Sequence, residues 1–519
     1  MILITSAAYV QPGLVAEFGV LPPTMLPLQN RRLYYHQLRL FEDFDEDIVL
    51  SLPDGYVLGE YDKAFLDGKK VKVIYAPTNL SLGASVVFVL NVLGRFYEPI
   101  RILHGDTLFY SVPKSLDTFL ISTATDDYQW TPVKDKNNST VYTGYFAFSS
   151  QTLLIRCIAE HSNGFMAGVE AYSSQKEVQL VESDNWMDFG IANSYYRSKS
   201  KLTTQRVFNH LVIDKYSVTK YSKDSNKILA EANWFKSVPT QMKHFVPALW
   251  DSGIDGDRGF YEIEYFYLSS LADLFVFGHN SSFVWKGILD ACSEFISQEL
   301  SFVPEDKEAI AKMSVGLYRK KTLSRLSKYA VEKGISMDHE WVINGQRVPC
   351  LNQIVEEVSG MLDNPAPEFT HVTHGDFCFS NILYDFKSLS IKVLDPRGRD
   401  IEGNYSIYGD IRYDVAKLAH SVIGMYDFIV AGFYDFRTIE DDYSLELHFP
   451  EREGISEVQE YFNHLSFGGY NIRQLAVYPI LVHLFLSMLP LHSDSPERQK
   501  AMLANALRLY TEYKRHNVS

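Results

Sequence analysis

No segment of this chain approaches 18 uninterrupted apolar residues, so nothing in it reads as a membrane span. The opening MILITSAAYV has no basic lead and too short an apolar stretch for a signal peptide, and it reads as a first buried strand. Positive charge is also scarce. With 49 Lys and Arg against 64 Asp and Glu, the net charge of −15 excludes the broad basic face that a nucleic-acid partner requires. The four cysteines, Cys157, Cys292, Cys350 and Cys378, include no Cys-x-x-Cys pair and no histidine at zinc-ligand spacing. They are expected to be reduced thiols with structural roles in a cytoplasmic protein. There is no internal repeat and no low-complexity tract.

What is present is an ordinary globular composition, 46% hydrophobic and 22% charged, over 519 residues, a length that suggests two or more separately cored domains. From residue 1 to about 200, short apolar or β-branched runs (2–5, 47–50, 72–75, 100–104, 140–148) alternate with segments of helical character, the pattern of an α/β domain with a mostly parallel sheet. After a polar stretch at 198–205 the text changes. Residues 209–213 and 216–221 read as paired strands and 226–237 as a helix. Helical spacing then recurs over 281–364, 411–435 and 473–514. The acidic segment 436–456 reads as a surface excursion.

Phosphoryl transfer to an alcohol needs a carboxylate to orient the hydroxyl and accept its proton, oxygen ligands for a divalent metal, and a cation on the non-transferred phosphates. His374-Gly375-Asp376, with Asn381 five positions on and the apolar Ile382-Leu383-Tyr384 behind it, supplies a catalytic-loop aspartate and a metal-binding amide. Asp395 ends the apolar run 391–394, and a hairpin would bring 376, 381 and 395 together. His-Gly-Asp by itself more often marks a tight turn; the full set at its spacing is far more specific.

These residues resemble the aminoglycoside phosphotransferase and choline kinase family over roughly residues 203–515. The resemblance implies a bilobal protein-kinase-like domain, with an N-lobe over 201–268 and a mainly helical C-lobe over 269–519. Asp376 would be the base, and Asn381 and Asp395 would bind Mg²⁺. The N-lobe should contribute a phosphate-binding Lys220 from the strand Ser217-Val218-Thr219-Lys220, paired to Glu231 on the following helix. Lys215 is a rival in a turn. Residues 261–265, including Glu264, would form the hinge against adenine. Residues 204–210 stand where a protein kinase has its glycine loop and contain no Gly, leaving Arg206 and Asn209 to cover the phosphates. The later Gly409-Asp410, Tyr413-Asp414 and Ala416-Lys417-Leu418 also match the family, where they are mainly architectural.

Residues 1–200 resemble the sugar-phosphate nucleotidyltransferases through an ordered series of short matches. Pro22-Pro23-Thr24-Met25-Leu26-Pro27-Leu28 with Asn30-Arg31-Arg32-Leu33 stands for the Pro-Lys-x-Leu-Leu-Pro segment and its turn. Leu82-Gly83-Ala84-Ser85 stands for the small-residue segment that contacts the base. Tyr142–Phe148 in the text, numbers 142–148, matches the substrate-lining strand, and Trp186-Met187-Asp188-Phe189-Gly190 matches Trp-x-Asp-x-Gly. The resemblance implies a Rossmann-like fold of the GT-A type in which Asp106 and Asp188 hold Mg²⁺ and Gly83 meets the base. The Gly-x-Gly-x-Arg loop is missing and the usual lysine falls at Thr24, so charge stabilisation on the triphosphate has to come from elsewhere; Arg31 and Arg32 are candidates, the alternative being that they form a solvated turn.

Together these readings give a bifunctional transferase. By resemblance, it would use ATP and a second NTP to phosphorylate a small alcohol or sugar and couple the phosphate to an NMP, for surface polysaccharide. The alternative is a kinase with a non-catalytic nucleotidyltransferase-like domain. A homo-oligomer is left open.

Overall fold

In the computed structural model, residues 1–124, 131–133, 139–202, 209–439 and 441–518 are described. The chain divides into two compact units, Met1–Leu202 and Thr203–Ser519, both mixed α/β. Among the described residues no helix is long and apolar enough to cross a membrane, and the four cysteines are unbridged.

The first unit is built on a seven-stranded sheet in the order Gln179–Glu182, Thr118–Thr123, Thr140–Phe148, Ile100–His104, Ile2–Thr5, Ile48–Pro53, Lys72–Ala76. Its centre is parallel: Ile2–Thr5 pairs in parallel with both Ile48–Pro53 and Ile100–His104. Ile2, Leu3 and Ile4 are all buried, as a strand covered on both faces requires, which is why this opening is continuously apolar rather than alternating. Thr140–Phe148 runs antiparallel to both its neighbours. Leu3, Ile102, Phe146, Val86, Leu154 and Val169 share one core, so helices Leu82–Leu93, Gln151–Glu160 and Phe165–Ser173 bury an apolar face against the sheet. The parallel strands deliver Ser6 and Gly105 side by side at their carboxyl ends, where Gly105 N–H donates to Thr5 O at 2.8 Å.

The second unit begins with a four-stranded antiparallel sheet, Asn209–Ile213, Ser217–Ser222, Arg258–Glu264, Leu249–Asp255, and the helix Ser225–Ser237. A helical part follows, whose centre is Val477–Met488, with all twelve residues buried. A helix that is apolar all round has to be enclosed, and Ile411–Val422 and Pro496–Val518 pack against it. Ser269–Ser270, Ile382–Asp385 and Ser390–Val393 form a small sheet that carries the candidate site.

Two expectations are corrected here. The segment 436–456 is exposed or half-buried at most of its described residues but is not merely a surface excursion: Asp435–Thr438 and Ser444–His448 are strands that extend the hairpin Trp341–Ile343 and Gln346–Val348 into a four-stranded sheet. Leu445 and Leu447 are buried while Glu446 between them is not, a two-residue alternation obscured by the surrounding acidic text. Residues 261–263 are not a hinge either. They lie inside the strand Arg258–Glu264 and pair on both sides, Tyr261 with Lys220 and Ser252, Ile263 with Val218 and Leu249, so their main chain is committed to the sheet. The connection onward is 265–268.

Candidate active sites

In the second unit the short strand Thr370–Val372 leads into the loop of His374, Gly375 and Asp376. Gly375 has φ 80°, and a Cβ there would stand 2.7 Å from Arg397 Cβ, so the turn admits only glycine. Asp414 pins the loop from the helix Ile411–Val422, taking His374 N–H on Oδ2 at 2.7 Å and Gly375 N–H on Oδ1 at 2.8 Å. Trp234 Nε1 donates to Thr373 O at 2.8 Å. The loop therefore presents Asp376 from a fixed frame.

Asp376 Oδ1 lies 2.7 Å from Lys417 Nζ, and Asn381 Nδ2 donates to Asp376 O at 2.9 Å and to Oδ2 at 3.1 Å. Its deep setting pushes the Asp376 carboxyl up, but Lys417, then Arg397 and His374, outweigh this and hold it well below the usual carboxylate range. The carboxylate remains 44% exposed, open to a substrate. Sequence reasoning placed Lys417 in an architectural motif and so missed this contact.

Asn381 precedes the strand Ile382–Asp385, and Asp395 lies two residues past the strand Ser390–Val393. The hairpin register Ile382↔Val393 and the bond from Leu394 N–H to Asn381 O, 2.9 Å, set the two side by side in the backbone. Asp395 sits at φ 55°, a left-handed conformation that costs a non-glycine residue energy and that such sites often carry. Lys220 Nζ reaches both Glu231 Oε2 at 2.7 Å and Asp395 Oδ1 at 3.0 Å. Tyr261 O–H lies 3.1 Å and 3.3 Å from the same two oxygens. Burial works against the Lys220 ammonium, but Asp395 and Glu231 outweigh it and hold it charged. Lys215 instead sits over the Tyr216 ring at 5.1 Å. Glu264 ends its strand, with its N–H on Ala248 O and its carboxylate near Ala248 N. Arg206 lies outside the described residues.

In the first unit Asp106 follows the strand Ile100–His104, and Asp188 lies on the strand Met187–Asp188. The antiparallel pair Thr107–Leu108 and Met187–Asp188 sets Asp188 opposite Thr107, and Phe189 N–H donates to Asp106 O at 2.8 Å. The two carboxylates converge over Gly190, where an added Cβ would stand 2.7 Å from Asp106 Oδ2 and 3.5 Å from Asp188 Oδ1. Ser194 Oγ and Gly190 N–H donate to Asp188 Oδ2. A cleft of about 270 Å³ opens beside Asp188 and is lined by Arg197 and Lys201 as well as Trp186.

Gln37, which sequence reasoning did not single out, holds this loop from beneath: its fully buried Nε2 donates to His104 O, Gly105 O and Thr107 O at 3.3, 3.1 and 2.9 Å. Its Oε1 accepts from Thr24 Oγ1 at 2.7 Å, so the residue in the lysine position is a buried structural hydroxyl. Arg32 is likewise committed to the interior, with Nη1 on Met25 O at 2.9 Å and Nη2 3.6 Å from Asp62. Arg31 stands over the Tyr35 ring at 5.5 Å. Gly83 is small for a packing reason: a Cβ there would fall 2.3 Å from Asn163 O.

Both sites offer oxygen donors suited to a hard divalent cation: Asn381 Oδ1 with Asp395, and the convergent pair Asp106 and Asp188. Among the described residues no group of three or more His, Cys, Asp or Glu side chains is arranged for a metal, so each site would rely on phosphate and water oxygens for the remaining positions.

Among solved structures, the chain is similar to a glucosamine kinase in complex with glucosamine, ADP and inorganic phosphate, at 12% identity and TM-score 0.37 over 60% of this chain and 82% of that one. It is similar to a thermostable mutant of an aminoglycoside phosphotransferase in ternary complex with AMP-PNP and hygromycin B, at 12% identity and TM-score 0.35 over 60% and 92%. It is also similar to the inositol-1-phosphate CTP transferase from T. maritima, at 15% identity and TM-score 0.30 over 39% and 95%. No family description and no curated protein matches the chain.

Proposed function

We propose that the second unit is an ATP-dependent kinase acting on the hydroxyl of a small molecule. The observation that carries this reading is one connected set: Lys220 bridges Glu231 and Asp395, while Asp376, joined to Asn381, stands at the same open end of the hairpin as Asp395. In the reaction the acceptor oxygen attacks the γ-phosphorus, the bond to the bridging oxygen of ADP breaks, and the hydroxyl proton passes to Asp376. Lys220 stabilises charge on the phosphates that are not transferred, and Glu231 with Tyr261 fixes its position. Asn381 and Asp395 would hold Mg²⁺, which would further neutralise the triphosphate. The test is ADP release from ATP across a panel of hydroxylated metabolites. Turnover lost in Asp376→Ala with nucleotide binding retained supports the reading, and undiminished turnover in that variant removes it.

For the first unit we propose nucleotidyl transfer, in which a phosphomonoester oxygen attacks the α-phosphorus of an NTP and pyrophosphate leaves. The convergence of Asp106 and Asp188 over Gly190 supports it. The two reactions would then be consecutive steps toward a nucleotide-activated precursor for surface polysaccharide. A second reading, a kinase with a non-catalytic first unit, is favoured by the interior roles of Thr24 and Arg32, which take them away from a triphosphate. Pyrophosphate release from a phosphorylated alcohol and an NTP, abolished in Asp106→Ala, separates the two.

A further inference from the structure

Arg397 follows Asp395 by two positions, and its N–H donates to His374 O at 2.8 Å, which lays its aliphatic stem against Gly375. Its guanidinium then stands 4.5 Å from the centre of the Tyr413 ring. Lys321, from the helix Arg319–Lys333, approaches the same ring, with Nζ 5.5 Å from its centre and 3.5 Å from the hydroxyl. Lys417 stands one helical turn beyond Tyr413. Three cations thus meet around one tyrosine next to Asp376.

Burial works against the Arg397 guanidinium, and Tyr413, Asp376 and Asp414 outweigh it, but the two carboxylates act from beyond ion-pair distance. Asp376 is matched by Lys417, and Asp414 spends both oxygens on the main-chain N–H groups of His374 and Gly375. Among the described residues no carboxylate lies within 4.0 Å of Lys321 or Arg397. Half-buried cations without a counter-ion cost free energy unless a ligand brings the charge. Tyr413 favours the charged form of Lys321, yet burial together with Arg397 and Arg325 leaves its pKa below the ordinary value. Burial pushes the Tyr413 phenol up, and Lys321, Arg397 and Lys417 outweigh this and bring it down to about 7. A cleft that adjoins this cluster is lined by Arg397, Arg399 and Tyr413 together with Gly375, Asp400 and Asp410, so it opens beside the catalytic loop, with Asp410 already paired to Arg412.

Resting on the kinase reading, we propose that the acceptor alcohol carries an anionic group, a carboxylate or a phosphate monoester, which docks on Lys321 and Arg397 beside Tyr413 while its hydroxyl faces Asp376. Free inorganic phosphate shares this chemistry and serves as a probe. A γ-phosphate of the nucleotide shares it too, and occupying the nucleotide site removes that source.

The experiment uses the full chain. Inorganic phosphate is titrated onto protein saturated with AMP-PNP, which fills the terminal-phosphate position, and ADP release is assayed with glycerate and glycerol phosphate as anionic alcohols, glycerol as a neutral one and ethanolamine as a cationic one. Phosphate should bind, and Lys321→Gln should weaken it about tenfold, the scale of one lost ion pair, while Lys321→Arg retains most of the affinity and AMP-PNP affinity stays unchanged. Among the alcohols the anionic ones should turn over best, with KM raised in Lys321→Gln for these alone. Phosphate binding that ignores Lys321→Gln, or turnover favouring ethanolamine or glycerol, overturns the inference and leaves the kinase reading standing. Failure to bind AMP-PNP, with no ADP release from any alcohol, overturns the kinase reading itself. Melting temperatures of both variants identify a folding defect, and the charge-conserving Lys321→Arg then decides.

Discussion

Lys417 Nζ lies 2.7 Å from Asp376 Oδ1, so the carboxylate proposed as base is ion-paired before any substrate arrives. The pairing holds Asp376 ionised throughout the physiological range and makes it a weak acceptor at equilibrium. Weak basicity is compatible with phosphoryl transfer, where bonding to the incoming oxygen lags and the hydroxyl is acidic only late. Asp376 then acts first by orienting the hydroxyl, with Asn381 and Lys417 fixing its two oxygens.

Asp376→Asn is expected to lower kcat about 10²- to 10⁴-fold, the range of a positioned general base, with ATP-analogue affinity retained. Lys417→Met should lower kcat less and shift its pH dependence. Removing the cation raises the Asp376 pKa toward its ordinary value; the base works deprotonated, so the acidic limb of the kcat profile moves to higher pH. A profile unmoved in Lys417→Met would show that the pair does not tune the base.

The Lys220 network predicts an asymmetry between its two sides. Lys220→Met leaves the buried Glu231 carboxylate to the more distant, half-exposed Lys227, 3.9 Å away, and should cost about 3 kcal/mol of stability in the second unit. Glu231→Gln leaves Lys220 with Asp395 and should cost less. Denaturant unfolding of the two variants orders them, and equal losses would mean that Asp395 contributes nothing to holding Lys220.

The contact of Asp376 with Asn381 was legible because five residues of one loop fix it, and the approach of Lys220 to Glu231 because the resemblance pairs a strand lysine with a glutamate of the next helix. Lys417 and Tyr261 were not legible in these roles. Each meets its partner across a gap that only tertiary packing closes, and each lies in text that was read for another role, an architectural helix motif for Lys417 and a hinge for Tyr261. Gln37 was invisible for the same reason: an unremarked glutamine on a short helix becomes the support of the 104–107 loop only when the central strands assemble. Gly83 shows the converse. A small residue suggested a ligand, and the structure adds a packing reason, the main chain of Asn163 lying against it.

At Gly190 the expectation is steric. A methyl group would fall 2.7 Å from Asp106 Oδ2, where no Cβ fits without displacing the carboxylate. Gly190→Ala should therefore abolish Mg²⁺-dependent pyrophosphate release while ADP release by the other unit continues. Because Gly190 is half-buried beside the Asp188 loop rather than in the core, the melting temperature should fall little. Pyrophosphate release at the parental rate in this variant would place the first unit's chemistry elsewhere.

The histidines of the second unit predict how its stability depends on pH. Burial lowers His374 to about 4 and His483 to about 3, from an ordinary 6.5, and both rings are nearly inaccessible. A histidine whose folded pKa lies below its unfolded one takes up its proton more readily when the chain unfolds. Its neutral form therefore supports the fold in full above pH 6.5, and that contribution is lost as pH falls from 6.5 toward the folded value. Each such group adds a slope of about 1.4 kcal/mol per pH unit in that window. His483 is the better probe, because its ring lies at 3.0 Å from Thr322 Oγ1 and 3.2 Å from Ser359 Oγ, away from the catalytic loop. His483→Gln should cost stability at neutral pH through those hydrogen bonds. The difference from the parent should then shrink as pH drops below 6.5, since the variant has no proton to take up at that position. Unfolding free energies of both proteins across the window give the test, and a difference that stays constant with pH would mean that His483 titrates normally in the folded chain.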